Sequence, residues 1–418
     1  MYKKETLANG VRIVTEEIPY VRSVSLGIWV GTGSRDEDQS NSGIAHFIEH
    51  MMFKGTAGRT AKGIAEALDA VGGQLNAFTS KEYTCYYAKV LDEHIDVAVD
   101  LLSDMYFNSL FREEDVEKEK NVIIEEIKMY EDTPDELVHD IFASTLWSDH
   151  ALGKPVIGSE EIIRTIDREQ MLHFRNNNYA PDSLVVAAAG NIKHEQVVAK
   201  LAPLFGTMPN TVVRNRIYSE PVAKYQIGMK KKDVEQVHLC VGTPGLPMEH
   251  EDIYVLHLIN SVLGGGISSR LFQEIREERG LAYSIFSYHS SYKDAGLFSI
   301  YAGLSRNNLK QVLSLISTEL NSIKKEGITS EEMVRAKEQL KGSILLGLEN
   351  VSSRMTRLGK SELSINRVIS VEETLEKIYK VSVEDVKRLA DRLFRGDNII
   401  KACVGPEVDE NELELSVD

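Results

Sequence analysis

The sequence predicts an α+β protein of two similar domains in tandem, each an antiparallel-rich sheet with helices packed on one face. Three observations carry that expectation. The 418 residues are 42% hydrophobic and 27% charged, an ordinary globular composition in a chain long enough for more than one core. Strand-like and helix-like stretches are mixed, without the strict one-to-one alternation of a doubly wound parallel sheet. The order of those stretches then returns in the second half of the chain.

In the first half, an Asn9-Gly10 turn precedes a strand at 11–14, and Val24, Leu26, Ile28 and Val30 alternate with smaller or polar residues along another. Residues 44–53 are apolar on a helical period. Thr60 can cap a helix over 61–71, which Gly72-Gly73 stops before a strand pair around 74–80 and 83–90. Helices are expected near 93–107, 113–131, 135–147, 168–177 and 194–204, and a strand at 184–189.

The repeat is visible by register. His257-Leu258-Ile259-Asn260-Ser261 follows His46-Phe47-Ile48-Glu49-His50 by 211 residues. Ser330-Glu331-Glu332-Met333-Val334 follows the similar Arg112-Glu113-Glu114-Asp115-Val116 by 218, and the helix-to-strand passage ending at Gly405 follows the one ending at Gly190 by 215. Three ordered, nearly equal offsets indicate a duplication. The boundary falls near 206–224, which contains Pro209, Asn210 and Pro221 and has little periodicity. The expected domains are therefore 1–210 and 225–418, with 211–224 as linker.

Asp and Glu number 64 against 48 Lys and Arg, a net charge of −16, so no overall positive field draws the chain to nucleic acid or an anionic membrane. Cys85, Cys240 and Cys403 are odd in number and far apart, which excludes a disulfide framework and a cysteine zinc cluster and fits a reducing compartment. The opening MYKKETLANGVRIV lacks the apolar core of a signal peptide, and no run approaches a membrane-spanning length, so a cytoplasmic location is expected.

The sharpest chemical feature is His46-Phe47-Ile48-Glu49-His50. On a helix, residues i and i+4 share a face, so two imidazoles can hold one metal ion with Glu49 beside them. That order inverts the commoner zinc-protease motif. A tetrahedral catalytic zinc needs a third protein ligand. The helix over 113–131 offers Glu119 and Glu126, two turns apart on one face, either as a ligand or as members of a solvated acidic face. A phosphate-loop reading of Gly264-Gly265-Gly266 fails, because the Gly-Lys-Ser/Thr ending is missing and no clear strand precedes it.

His46, Glu49 and His50, followed after 75 intervening residues by Glu126 with Glu119 one heptad earlier, resemble the pitrilysin/insulysin family of zinc metallopeptidases. The likeness is to its short two-domain branch, which includes the mitochondrial processing peptidases. It extends through Leu7-Ala8-Asn9-Gly10 and through Gly72-Gly73-Gln74-Leu75-Asn76-Ala77-Phe78-Thr79 with Glu82, Thr84 and Tyr86. It continues from Gly264-Gly265-Gly266 through Arg270-Leu271-Phe272 to Gly280-Leu281-Ala282-Tyr283. The resemblance implies one zinc per chain held by His46, His50 and Glu126, with Glu119 as a supporting carboxylate and Glu49 as general base. It implies that Gln74, Leu75, Asn76, Ala77, Phe78 and Thr79 form a substrate-binding edge strand. It also implies that Arg276 and Tyr283 hold substrate and stabilise the tetrahedral intermediate.

Such a site activates water for attack on a peptide carbonyl, and an exposed edge strand takes an extended peptide with little regard for its sequence. In relatives the Arg/Tyr pair faces the zinc from the opposite half of a clamshell. A two-domain chain therefore implies a homodimer, Arg276 and Tyr283 acting on the partner's zinc site, with short or unfolded peptides enclosed between the halves. The second half carries His257, Asn260 and Ser261 at the motif positions and Gly342-Ser343-Ile344 near the counterpart of Glu126, so it cannot build the same site. Two other readings compete: a catalytically silent partner subunit, and a zinc-dependent scaffold that holds peptides without cutting them.

Overall fold

A computed structural model describes residues 2–209 and 218–417. Along the chain come β1 (Tyr2–Thr6), β2 (Arg12–Glu17), β3 (Ser23–Val30), α1 (Ile44–Met51), α2 (Ala61–Asp69), β4 (Gln74–Thr79) and β5 (Thr84–Leu91). There follow α3 (Ile95–Asn108), α4 (Glu113–Glu131), α5 (Pro134–Leu146), α6 (Glu160–Thr165), α7 (Arg168–Asn178), β6 (Leu184–Gly190) and α8 (His194–Phe205). The second half contains β7 (Ile227–Lys231), β8 (Gln236–Pro244), α9 (Ile253–Gly264), β9 (Ala282–Ser291), β10 (Gly296–Ser305), α10 (Leu309–Lys325) and α11 (Ser330–Gly347). It closes with α12 (Val351–Ile365), α13 (Val371–Lys380), α14 (Val383–Leu393) and β11 (Ile400–Gly405).

The strands form two sheets, ordered β1-β2-β6-β3-β5-β4 and β7-β11-β8-β10-β9. Without β1 the two orders correspond strand for strand. Each has one parallel pair, β2 with β6 and β7 with β11, and is otherwise antiparallel. The duplication read from three offsets is thus a duplication of topology. Strand β1 is absent from the sequence reading: all five of its residues are exposed, so it has no apolar alternation, and its ladder to β2 defines it.

The described residues divide into two compact units. One comprises Met1–Ile127, Pro155–Tyr218 and Leu346–Ile369; the other comprises Lys128–Lys154, Ser219–Leu345 and Ser370–Asp418. Contiguous halves at 1–210 and 225–418 were the expectation; instead each unit borrows a segment from the opposite half of the chain. Of the expected linker 211–224, residues 211–217 lie outside the described residues.

The borrowed segments explain the exchange. One face of the first sheet packs Ile13, Leu26, Ile28 and Val186 against Phe47, Ile48 and Met51 of α1 and Leu102 and Met105 of α3. Its other face, with Val14, Trp29, Val185 and Ala187, packs on Val351, Met355 and Leu358 of α12. In the second unit, Leu137, Val138, Phe142 and Leu146 of α5 cover Cys240, Tyr301, Ile400 and Ala402. The expected helical layer is present, and each sheet has in addition one helix on its second face. Strand β6 requires that cover: all seven of its residues are buried, and a strand without a solvent face needs partners on both sides. Helix α12 comes close because Gly359 has no side chain; a Cβ there would lie 2.2 Å from Trp29 Nε1. The buried indole N–H donates instead to Met355 Sδ at 3.2 Å.

Candidate metal centre

The centre is built on α1. Phe47, Ile48 and Met51 are fully buried and fix the helix against the sheet, which leaves His46, Glu49 and His50 on another face. Its N-terminus is closed from a distance: the Glu37 carboxylate accepts the N–H of Gly43 at 2.8 Å and of Ala45 at 2.9 Å. Gly43 has φ +93°, and a Cβ would meet the Ile157 carbonyl at 2.7 Å, so both the turn and the close approach require glycine.

Helix α4 supplies the carboxylates. Glu126 Oε1 lies 4.0 Å from His46 Nε2, and its Oε2 lies 3.6 Å from His50 Nε2. One donor atom from each of His46, His50 and Glu126 falls within 4.8 Å of the others, the only such group of His, Cys, Asp or Glu among the described residues. Glu119 takes the other side of His50, Oε1 to Nδ1 at 2.9 Å, while its Oε2 meets Lys54 Nζ at 2.5 Å. Where spacing left Glu119 and Glu126 open, the distances separate them: Glu126 faces both imidazoles in a group that could hold a metal ion, and Glu119 hydrogen-bonds the far nitrogen of His50.

The donor set fits zinc. Two imidazole nitrogens and a carboxylate oxygen converge, and the His50 ring is held by a carboxylate on its outer nitrogen, as in metal-ligating histidines generally. Burial, reinforced by the neighbouring His50, pushes the His46 pKa down to about 3, so this ring is neutral and able to ligate. His46 Nδ1 is buried without a hydrogen-bond partner among the described residues. For His50, burial opposes the charged ring, but Glu119, then Glu126 and Glu49, raise its pKa overall. Replacing Glu119 with Gln keeps the shape but removes the charge behind His50. The expected result is a zinc affinity lower by about 10–100-fold, measured by competition with a chromogenic chelator.

Glu49 is a separate element of the site. Burial raises its carboxyl pKa, and the Thr79 hydroxyl, which donates to Oε2 at 2.5 Å, partly offsets that rise. Thr79 is the last residue of β4, the edge strand of the first sheet, bonded only to β5. Along β4, Leu75 and Ala77 pack with the α1 core and Phe78 with the opposite one. The expected edge-strand residues Gln74–Thr79 are therefore all in place, with Gln74 and Asn76 exposed. The sequence placed Thr79 in that strand without its contact to Glu49, and did not single out Glu37 or Lys54. The alternation of β4 carries a signal for Thr79; Glu37 and Lys54 act across loops that periodicity does not describe.

Arg276 and Tyr283 belong to the second unit. Arg276 lies on the π-helical turn Phe272–Glu277 and Tyr283 at the start of the edge strand β9. The Arg276 guanidinium carbon sits 4.8 Å from the Phe272 ring centre and 5.5 Å from that of Tyr283, a residue that is 77% exposed. At the duplicated motif, His257 Nδ1 faces His289 Nε2 at 3.0 Å, and Asn260 and Ser261 stand where Glu49 and His50 stand in the first half. The cysteines are free and buried, and among the described residues no helix is long and apolar enough to cross a membrane.

Comparison with known proteins adds to this geometry. Residues 12–160 match the family described as Insulinase (Peptidase family M16), and residues 165–340 the Peptidase M16 inactive domain. The chain is 47% identical to an uncharacterized zinc protease of Bacillus subtilis, YmxG, over 97% of this chain and 98% of that one. It is 43% identical to an uncharacterized zinc protease of Streptomyces coelicolor, over 99% and 91%. Two solved structures share its fold at 22% identity. A peptidase M16 inactive domain from Pseudomonas fluorescens has a TM-score of 0.90 over 97% of this chain and 98% of that one. A protease from Helicobacter pylori has a TM-score of 0.89 over 97% and 99%.

Proposed function

The chain belongs to the insulinase family of peptidases, M16, and on that premise we propose that it is a zinc endopeptidase acting on short or unfolded peptides. The observation that carries the reading is the convergence of His46, His50 and Glu126 beside a buried Glu49. Held by those three residues, zinc supplies a Lewis acid that polarises a carbonyl and acidifies water to a pKa of about 7. Glu49 takes the proton of the attacking water and returns it to the leaving amine nitrogen. Burial brings its pKa toward the working pH, where a general base is most effective. Thr79 occupies Oε2 and leaves Oε1 for that proton. The open side of β4 receives the peptide main chain as an added strand.

Arg276 and Tyr283, side by side on the second unit, are assigned to the zinc site of a second copy, in a chamber closed by a homodimer. Three unpaired cysteines support a reducing, cytoplasmic setting. The likeness of the second half to an inactive domain agrees with its missing ligands. The first half retains all four zinc-site residues, which speaks against a silent subunit.

The test is a mixed peptide panel offered to size-resolved fractions, with chelator and with zinc restored. Cleavage is expected in the zinc-loaded dimer, lost on chelation and regained with zinc. Zinc-loaded protein that cuts nothing returns the reading to a silent partner or a peptide-holding scaffold. A monomer that cuts at full rate removes the assignment of Arg276 and Tyr283 to the partner.

A further inference from the structure

On the face of the first sheet opposite the metal centre, β4 borders a groove of about 430 Å³. Its floor is Phe78 of β4 and Tyr87 of β5; its wall is α12, with Thr356, Arg357, Lys360 and three serines. The composition is unusual for this chain. The protein carries a net charge of −16, yet no carboxylate lines the groove and two cations do. Lys360 is exposed and has no carboxylate partner among the described residues; its ammonium lies 5.9 Å from the Tyr83 ring centre. Arg357 donates to the Ile369 carbonyl, which fixes its guanidinium at the wall.

Serines and threonines on a helix often return their hydroxyl to the carbonyl one turn back. Among the described residues, the hydroxyls of Ser352, Ser353, Thr356 and Ser361 make no hydrogen bond to protein. Four unspent donors beside two cations make an anion-accepting wall.

Its position relates it to the edge strand. Thr79 points to Glu49, whereas Phe78 and Tyr87 pack toward α12. A peptide added to β4 continues the pleat, so its side chains point alternately to the metal face and to the α12 face, and the residue opposite Phe78 or Asn76 points to α12. We infer that the groove between β4 and α12 is a side-chain subsite selecting an acidic residue, Asp or Glu, in the bound peptide. The acidic residue stands an odd number of positions from the residue opposite Thr79. This inference rests on the edge-strand reading given under the proposed function.

The experiment scans Glu, Ala and Lys through each position of one peptide. Binding is read by fluorescence anisotropy with zinc-loaded Glu49→Gln protein, and cleavage is read with wild type. At one position, or at two positions separated by one residue, Glu is expected to bind about tenfold more tightly than Lys, with the preference shrinking in high salt. Lys360→Glu, an exposed change, is expected to invert that ratio in both readouts. If wild type cuts the panel and Lys360→Glu leaves every Glu/Lys ratio unchanged, the subsite is wrong and the peptidase stands. If the ratio inverts in binding while zinc-loaded wild type cuts nothing, the subsite stands and the peptidase reading falls.

Discussion

Glu49→Gln is expected to lower kcat for peptide cleavage by about 10²–10⁴-fold while the protein keeps one zinc per chain and an unchanged thermal midpoint. Glutamine has nearly the volume of glutamate, and its amide oxygen can still accept the Thr79 hydroxyl. It cannot take a proton. Glu49 is not part of the His46, His50 and Glu126 group, so removing its charge leaves the donor set intact. The measurement pairs initial rates with metal analysis of the same samples. Wild-type rates in the variant would remove Glu49 from the chemistry. Loss of zinc would make it a ligand. A rise in KM at constant kcat would make it a substrate contact instead.

The second large effect concerns stability. In Gly359→Ala the new Cβ meets the Trp29 ring at 2.2–2.5 Å. A rigid, fully buried indole cannot yield as a flexible side chain does, so α12 must move off the sheet. The expected loss is about 1–3 kcal/mol for Ala and about 3 kcal/mol or more for Val, read from urea midpoints at constant slope. The sign is diagnostic, because helix propensity alone favours Ala over Gly by about 1 kcal/mol. Gly359→Ala that stabilises the protein would mean that α12 does not pack on Trp29 as described. The same variants perturb the wall of the acidic-residue groove, which is why Lys360 and not Gly359 tests it.

Much of the fold can be read from the chain because its signals are local. Thr60 as a cap, the apolar period of α1 and the alternation in β3 each lie within a few residues, and each produced its element. Spacing alone placed His46, Glu49 and His50 together, since a helix turns through nearly the same angle wherever it sits. The third ligand was different. Glu119 and Glu126 share a face of α4, and a periodicity of seven cannot tell a ligand from the carboxylate that supports one.

By itself the sequence determined the α+β class, the duplication, and the pair of histidines with their acid on one helix. Three further matters lay beyond spacing and periodicity and depend on the tertiary structure. It set Glu126 toward His46 and His50 and Glu119 behind His50, the arrangement the family resemblance implied and spacing left open, because that placement depends on how α4 crosses α1. It hung Glu49 on Thr79, because a contact 30 residues apart is set by where an edge strand ends. It exchanged α5 and α12 between the units, because any amphipathic helix offers a suitable apolar stripe and only the assembled sheets, each with a second bare face, select which helix covers them.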